Sequence, residues 1–445
     1  MTIERLVRVL TLADYNTRVV MFGTVMLGVA GGVIGTFLLL RRRALLADAV
    51  SHAALPGVAG AFLLAVAMGA DGRSLPVLLA GALVSGLLGM GCVMLITRFT
   101  RLSQDAALGI VLSVFFGFGA ALLGIVQKMR GAQAAGLNSF IYGSAASMIR
   151  TDAVLIGLAA AVVVVLATLL FKEFRLLTFD PAFAAGDGWP VGRLDLVLMS
   201  LVVAITVLGL QAVGIVLVIA ILIVPAAAAR FWTESLRVMV LVAALVGAVG
   251  SYVGTAVSAL APRLPAGAVI VTSLGVLFVV SLLFGAGRGV VHAMVIRTRV
   301  IRKTVRQNLL RVLYECEESG MDHDADEQLR YLSASRRWTV RRLQTVLRRL
   351  AREQLVYRVP GGPWRLTRSG RYEAMRITRN HRLWEVYLLE YADTAAAHVD
   401  QGADHIEHVL GDALVAELEE AVPRFGKTLP QSPHTLVRDE PGGSS

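Results

Sequence analysis

The sequence predicts an all-helical membrane domain followed by a soluble region. Of the 445 residues, 56% are hydrophobic and only 17% are charged, a composition too apolar for an ordinary soluble protein. The charges are unevenly spread, because residues 1–287 hold 18 Lys+Arg and 11 Asp+Glu, whereas residues 288–445 hold 25 and 21. A membrane domain therefore comes first and a soluble region second.

Nine apolar runs approach the roughly 20 residues that a helix needs to cross a bilayer. Two of them, 194–210 and 212–229, are separated only around Gly209 to Gln211, so one long tilted helix plus a re-entrant piece is the alternative for that pair. The nine runs are 19–40, 52–70, 75–97, 106–127, 152–171, 194–210, 212–229, 236–259 and 266–286.

The basic residues near the ends of these runs predict the orientation. With nine spans, 15 Lys and Arg fall on one side and 8 on the other, which puts the N-terminus outside and the soluble region in the cytoplasm. Arginines beside the spans are attracted to anionic membrane lipid, and together with a basic tail they give a net charge of +11. Two cysteines alone, Cys92 and Cys316, exclude a disulfide framework and a Cys-rich zinc site.

Two ionisable residues, Asp48 and His52, stand where the chain enters the second apolar run. They are four residues apart, so a helix would put them on one face about 6 Å apart along its axis. An ionisable residue within a span costs on the order of 3 kcal/mol even on the mildest insertion scale. We therefore predict that the pair binds a metal cation. The alternative is a plain membrane-edge cap, with Arg41 to Arg43 at the interface and Asp48 starting a helix.

The segment Ala47–Gly57 reads Ala-Asp-Ala-Val-Ser-His-Ala-Ala-Leu-Pro-Gly and resembles the signature of permease subunits of manganese, iron and zinc ABC importers. Further matches at 105–110, 179–181 and 223–230 extend the resemblance over about residues 15–287. It implies that Asp48 and His52 bind the transported ion. It also implies a cytoplasmic helix near 179–188 that docks on the ATPase, through Phe179, Asp180, Pro181 and Gly186.

The resemblance further implies the partners of the chain. These are ABC ATPase subunits, an extracytoplasmic metal-binding protein, and a second permease that is either a copy or a paralogue, in a bacterial inner (plasma) membrane. The sequence has no Gly-x-x-x-x-Gly-Lys-[Ser/Thr] loop, because Ala421 stands where the first glycine before Gly426-Lys427 belongs, so the nucleotide is expected on a separate chain. The chain is thus predicted to be a transporter subunit and not an enzyme. The choice among Mn²⁺, Fe²⁺ and Zn²⁺ stays open, with a leaning to manganese and iron.

The soluble region divides by charge into a basic part, 288–382, and an acidic part, 383–445. In the basic part, an amphipathic helix, a basic helix at 339–354 and two β-prone runs around a Pro-Gly-Gly-Pro turn describe a winged helix. The basic helix is a candidate DNA-recognition helix, and a solvated face or a protein-interaction module is the alternative. The DNA-contacting residues would be Arg341, Arg342, Arg348 and Arg349.

The acidic part contains Asp404, Glu407 and His408, whose spacing puts them on one helical face and suits Mn²⁺ or Fe²⁺; an acidic solvated helix is the alternative. Residues from about 304 to 435 resemble the iron- and manganese-dependent repressors, in the helix and wing at 343–358 and around 379–383 and 404–408. The resemblance implies dimerisation and a divalent-metal site. Its ligands would be His381, Glu385, Asp400, Asp404, Glu407 and His408, while two first-helix ligands of that family fall on Asn308 and Arg311. Arginine cannot bind a metal, so weaker binding than in the repressors is expected.

The predicted segments are a transmembrane metal-permease domain (1–287), a juxtamembrane linker (288–303), a winged-helix domain (304–378), a helical metal-binding and dimerisation domain (379–435) and a disordered tail (436–445). The main functional hypothesis is a permease subunit of a divalent-metal importer with a cytoplasmic metal-sensing domain, so that the ion is both substrate and candidate regulator. The alternative is a membrane-tethered, metal-dependent transcriptional regulator that binds DNA. An intramembrane metalloenzyme is disfavoured, because the spans contain no His-Glu-x-x-His motif.

Overall fold

The computed structural model describes residues 14–69, 74–128, 148–260, 264–318, 324–335 and 338–391. The chain forms two compact units, Met1–Ala293 and Met294–Ser445. The described part of the first unit consists of helices, with the start of a further helix, α12 (Val290–Glu318), near its end. These helices are α1 (Tyr15–Leu40), α2 (Leu46–Ala67), α3 (Leu75–Phe99), α4 (Gln104–Lys128), α5 (Arg150–Leu169), α6 (Phe171–Phe179), α7 (Pro181–Gly186), α8 (Val191–Val213), α9 (Ile215–Arg230), α10 (Leu236–Leu260) and α11 (Ala266–Phe284).

In the described residues, eight helices are long and apolar enough to cross a membrane. The prediction of nine full-length spans is therefore wrong by one. The ninth apolar helix, α9, has only 16 residues and is about 24 Å long, against the roughly 30 Å of a bilayer's hydrocarbon core. Gly214 separates it from α8 and has a φ of 85°, a left-handed conformation that favours glycine and ends α8.

Helix α9 returns to the face of the first unit on which α8 begins. Asp195, near the start of α8, contacts Arg41 at the end of α1. Leu40 in turn packs against the cluster that Ala229, at the end of α9, forms with Met239 and Ala243. After α9, the Phe231 carbonyl accepts hydrogen bonds from the backbone N–H groups of Gly287 and Arg288, at 2.9 and 3.0 Å. The α6–α7 segment and the start of α12 therefore lie on one face of the unit, as the distribution of basic residues predicts.

Helix α1 lies at the centre of the first unit and contacts α5, α8, α9 and α10. Small residues allow the closest of these approaches. A Cβ on Gly28 would lie 2.4 Å from the carbonyl oxygen of Gly247 in α10, and a Cβ on Gly247 would lie 2.1 Å from that of Gly28. Helix packing in a membrane depends on such close backbone approach, since lipid provides no hydrophobic drive for helices to associate.

The second unit is built around one apolar cluster that includes Leu310, Leu313, Leu343, Leu347 and Leu366. Its described elements are the continuation of α12, α13 (Ala325–Ser335), α14 (Val340–Arg352), β1 (Val356–Arg358), β2 (Trp364–Leu366) and α15 (Arg368–Tyr391). The two strands are antiparallel, with Val356 opposite Leu366 and Arg358 opposite Trp364, and Gly361 adopts a φ of 71° in the turn between them. The basic helix and the hairpin predicted from the sequence are both present. The segment 436–445 and most of 379–435 lie outside the described residues.

Candidate metal-binding sites and docking surface

The predicted pair Asp48 and His52 lies in the first two turns of α2. His52 Nε2 is 3.5 Å from Asp48 Oδ1, and the side chains are 23% and 36% exposed, respectively. Two ligands bound to one metal ion at about 2.0–2.2 Å lie roughly 3 Å apart, so a small side-chain rotation would bring both onto one ion. The structure thus confirms that the two side chains meet on one accessible helical face.

The two ring nitrogens of His52 have different surroundings, and Nε2 is the one that faces Asp48. The ring packs edge to face against Phe116 of α4, with centroids 5.0 Å apart. Its Nδ1 is buried and has no hydrogen-bond partner among the described residues. The 3.5 Å contact to Asp48 is also longer than a good hydrogen bond. Nε2, beside the Asp48 carboxylate and not held by a good hydrogen bond, is therefore the ring nitrogen that can bind an ion together with Asp48.

The pair alone does not complete a coordination shell. Across the part of the chain that the structure describes, no group of three or more His, Cys, Asp or Glu side chains comes together. Transition-metal ions take at least four ligands in proteins. Within the described residues, an ion held by Asp48 and His52 therefore meets no third side chain of these four types.

The turn that leads into α2 is fixed by Asp195, which sequence reasoning did not single out. Both Arg41 and Arg43 contact its carboxylate, and Arg43 Nη1 lies 2.8 and 3.0 Å from the two oxygens. The three side chains are only 11–17% exposed. Two of the three arginines that the alternative interpretation treats as a plain membrane-edge cap are thus engaged in a largely buried ion triad. The available signal was a lone aspartate inside the apolar run 194–210.

The predicted ATPase-docking residues form one surface at the junction of α6 and α7. The Asp180 carboxylate caps α7 by accepting a hydrogen bond of 2.8 Å from the Phe183 N–H. Phe179 and Phe183 are both exposed, and a Cβ on Gly186 would meet nothing within 4 Å. Exposed aromatic residues on a short capped helix are typical of a docking site for a protein partner. The adjoining groove, of about 890 Å³, is lined by Lys172, Glu173, Arg175, Leu176, Phe179, Asp180, Trp189, Glu234, Ser235, Leu236 and Arg237.

In the second unit, the predicted metal ligand His381 lies on α15 and faces α12. Arg311 Nη1 is 2.5 Å from His381 Nδ1, and both side chains are 4% exposed. Arg311, which falls at a first-helix ligand position of the repressor family in the sequence comparison, thus lies next to the predicted ligand His381. A guanidinium has no lone pair, so this junction does not fit a metal ion. The side chain of Glu385, and Asp400, Asp404, Glu407 and His408 entirely, lie outside the described residues.

The four arginines predicted to contact DNA are exposed on α14, on the opposite side from its buried leucines. Two of them have partners inside the chain. Arg349 Nε lies 3.1 Å from Glu353 Oε1, and the Arg342 guanidinium stacks over the Trp338 ring at 5.8 Å. The Glu353 carboxylate offsets part of the positive charge that α14 would present to a phosphate backbone, and the stacking on Trp338 holds the Arg342 guanidinium against the protein.

Comparisons with known proteins agree with this architecture. The ABC 3 transport family matches residues 13–285, and the iron dependent repressor, metal binding and dimerisation domain matches residues 367–434. The chain is 39% identical over 392 residues to the manganese transport system membrane protein MntC of Bacillus subtilis (strain 168), covering 88% of each protein. It is 44% identical over 288 residues to the zinc transport system membrane protein TroC of Treponema pallidum (strain Nichols), covering 65% of this chain and 95% of that protein.

Among solved structures, PsaBC from Streptococcus pneumoniae in complex with Fab is similar, with a TM-score of 0.56 and 28% identity. The match covers 64% of this chain and 98% of that chain. The two family matches confirm the resemblance to the metal-importer permeases and, over residues 367–434, the resemblance to the repressors.

Proposed function

Because the chain belongs to the ABC 3 transport family, we propose that it is the membrane permease subunit of an importer for divalent transition-metal ions. The observation that carries the substrate class is the Asp48–His52 pair, whose carboxylate oxygen and imidazole nitrogen lie 3.5 Å apart on an accessible face of α2. This ligand combination suits Mn²⁺, Fe²⁺ and Zn²⁺ alike. The relatives named above, for manganese and for zinc, support the same class.

The importer would be assembled from several chains. The exposed surface of α6 and α7 is the proposed contact with an ABC ATPase, through Phe179, Asp180, Pro181 and Gly186. ATP bound to that ATPase would drive the permease between its outward-open and inward-open states. An extracytoplasmic metal-binding protein would deliver the ion. A second permease, either a copy or a paralogue, would face the first across the path and supply further ligands to the ion, because Asp48 and His52 provide only two.

The tail is proposed to be a cytoplasmic regulatory region. The order of α12, α13, α14, β1 and β2 supports a winged-helix domain over about 304–378, and the repressor-type match supports a dimerisation domain over 379–435. Metal binding in the latter would rest on Glu385, Asp400, Asp404, Glu407 and His408. The alternative function, a membrane-tethered transcriptional regulator, rests on the exposed arginines of α14, two of which are engaged within the chain.

The transport proposal is tested by metal uptake into cells that express the complete importer. Asp48→Ala and His52→Ala should each reduce uptake of Mn²⁺ and Zn²⁺ to the background of cells without the permease. Either change leaves only one of the two side chains to replace the ion's hydration shell. The loss of uptake should therefore exceed the roughly 10–100-fold loss that follows when a residue contacting a metal ligand is changed.

Matched controls separate this effect from misfolding. Asp14→Ala and His292→Ala remove the same groups at exposed positions of the first unit and should transport like the wild type. All variants are compared at equal abundance in the membrane. Wild-type uptake by both Asp48→Ala and His52→Ala would remove this pair from the metal path.

A further inference from the structure

A charged side chain is buried at the contact between α12 and α15 in the second unit. Arg311 is 4% exposed, and its Nη1 lies 2.5 Å from Nδ1 of His381, which is equally buried. On its other side, Arg311 Nε is 3.3 Å from Glu315 Oε1, one helical turn along α12. A buried charge is tolerated only when it is paired, and Glu315 provides the opposite charge.

The chemistry of the two groups fixes the direction of the hydrogen bond. A guanidinium is always protonated and has five N–H donors but no acceptor. Arg311 must therefore donate, and His381 Nδ1 must accept with the lone pair that a metal ion would need. The matched repressor-type domain is described as metal binding, and His381 lies within it. At this contact the chain itself supplies a cation.

Neighbouring contacts tie the same two helices together in the same way. Arg306 forms a two-pronged pair with Glu373, with both N–O distances 2.8 Å. The guanidinium of Arg382 lies 3.1 Å from Glu318. Two-pronged arginine–carboxylate pairs are among the stronger and better-oriented charged contacts in proteins. None of these contacts requires an added ion.

We propose that Arg311 is a built-in replacement for a metal ion at the α12–α15 junction. Its fixed positive charge holds His381 in place, so the junction forms whether or not the cell contains free metal. A divalent ion at His381 would have to displace the guanidinium and then withstand its repulsion at close range. Any response of the tail to metal would consequently arise from ligands other than His381. This inference goes beyond the transport proposal and does not depend on it.

The test counts bound Mn²⁺ on the full-length chain in detergent, by equilibrium dialysis followed by elemental analysis. All samples carry Asp48→Ala and His52→Ala, so that the proposed transport site adds no metal and its correctness does not affect the result. In this background, adding His381→Ala should leave the number of bound Mn²⁺ ions unchanged. A decrease would overturn the proposal, because it would show that His381 binds metal despite Arg311.

A second experiment tests whether Arg311 is the group that prevents Mn²⁺ from binding at His381. Arg311→Glu places a carboxylate beside His381 and should add about one Mn²⁺ per chain, which His381→Ala then removes. Arg302→Glu, an exposed change on the same helix, is the control for added negative charge and should gain no such ion. No more bound Mn²⁺ in Arg311→Glu than in Arg302→Glu would refute the proposal. Should Arg311→Glu fail to fold, the His381→Ala comparison decides.

Discussion

Replacing Asp195 by asparagine tests whether the buried ion triad positions the start of α2. The substitution keeps the shape of the side chain but removes the negative charge between Arg41 and Arg43. Two arginine side chains, 11% and 17% exposed, would then face each other without compensation. Because they lie in the turn immediately before α2, their separation should also disturb Asp48 and His52.

The magnitude follows from the burial of the triad. Removing one partner of a fully buried ion pair costs about 3–5 kcal/mol, and the residual exposure here points to the lower end, about 3 kcal/mol. For a domain of this size, that should lower the melting temperature by about 5–10 °C. The Glu234–Arg288 pair provides the matched control, because its side chains are 73% and 51% exposed and such surface pairs contribute less than about 1 kcal/mol.

The assay is thermal unfolding of the purified chain in detergent at a fixed heating rate, since membrane proteins often unfold irreversibly. Asp195→Asn should melt well below wild type and transport metal poorly, whereas Glu234→Gln should melt within about 2 °C of wild type. If Asp195→Asn and Glu234→Gln melted alike, the triad would not hold the turn before α2 as inferred.

Two further predictions concern the docking surface and the second unit. Asp180→Ala removes the cap of α7, at a cost of about 1 kcal/mol, and should lower transport-coupled ATP hydrolysis. Asp180→Asn keeps a capping oxygen and should retain most of the hydrolysis. Equal loss in both variants would show that the carboxylate charge acts and not the cap. Burial, together with Glu315 and Glu317, raises the pKa of Cys316 from 9.0 to about 11. Because only the thiolate reacts, alkylation of Cys316 in the folded protein should speed up as the pH rises from 9 towards 11. At pH 8, mass spectrometry should find Cys316 alkylated roughly 100-fold more slowly in the folded chain than in denaturant, and equal rates would contradict the assigned burial.

Features that depend on short sequence separations could be predicted well. The 3.6-residue helical repeat places Asp48 and His52 on one face, and the cost of two ionisable groups inside a span indicates that they have a function. The hairpin of β1 and β2 follows from a Pro-Gly-Gly-Pro turn between β-prone runs. The number of full-length spans was harder to predict, because a single glycine at 214 decides where α8 ends and how short α9 becomes.

The sequence by itself determined that an apolar helical domain precedes a charged soluble region and that a carboxylate and an imidazole meet on one helix. It also determined that an arginine, at position 311, stands where the resembling repressors have a metal ligand. Only the tertiary structure decided which distant charges meet. Asp195 pairs with Arg41 and Arg43 across more than 150 residues of chain, and Arg311 donates to His381 across 70. Local spacing carries no information about such pairs, because they depend on how helices pack and on which charged groups packing removes from water.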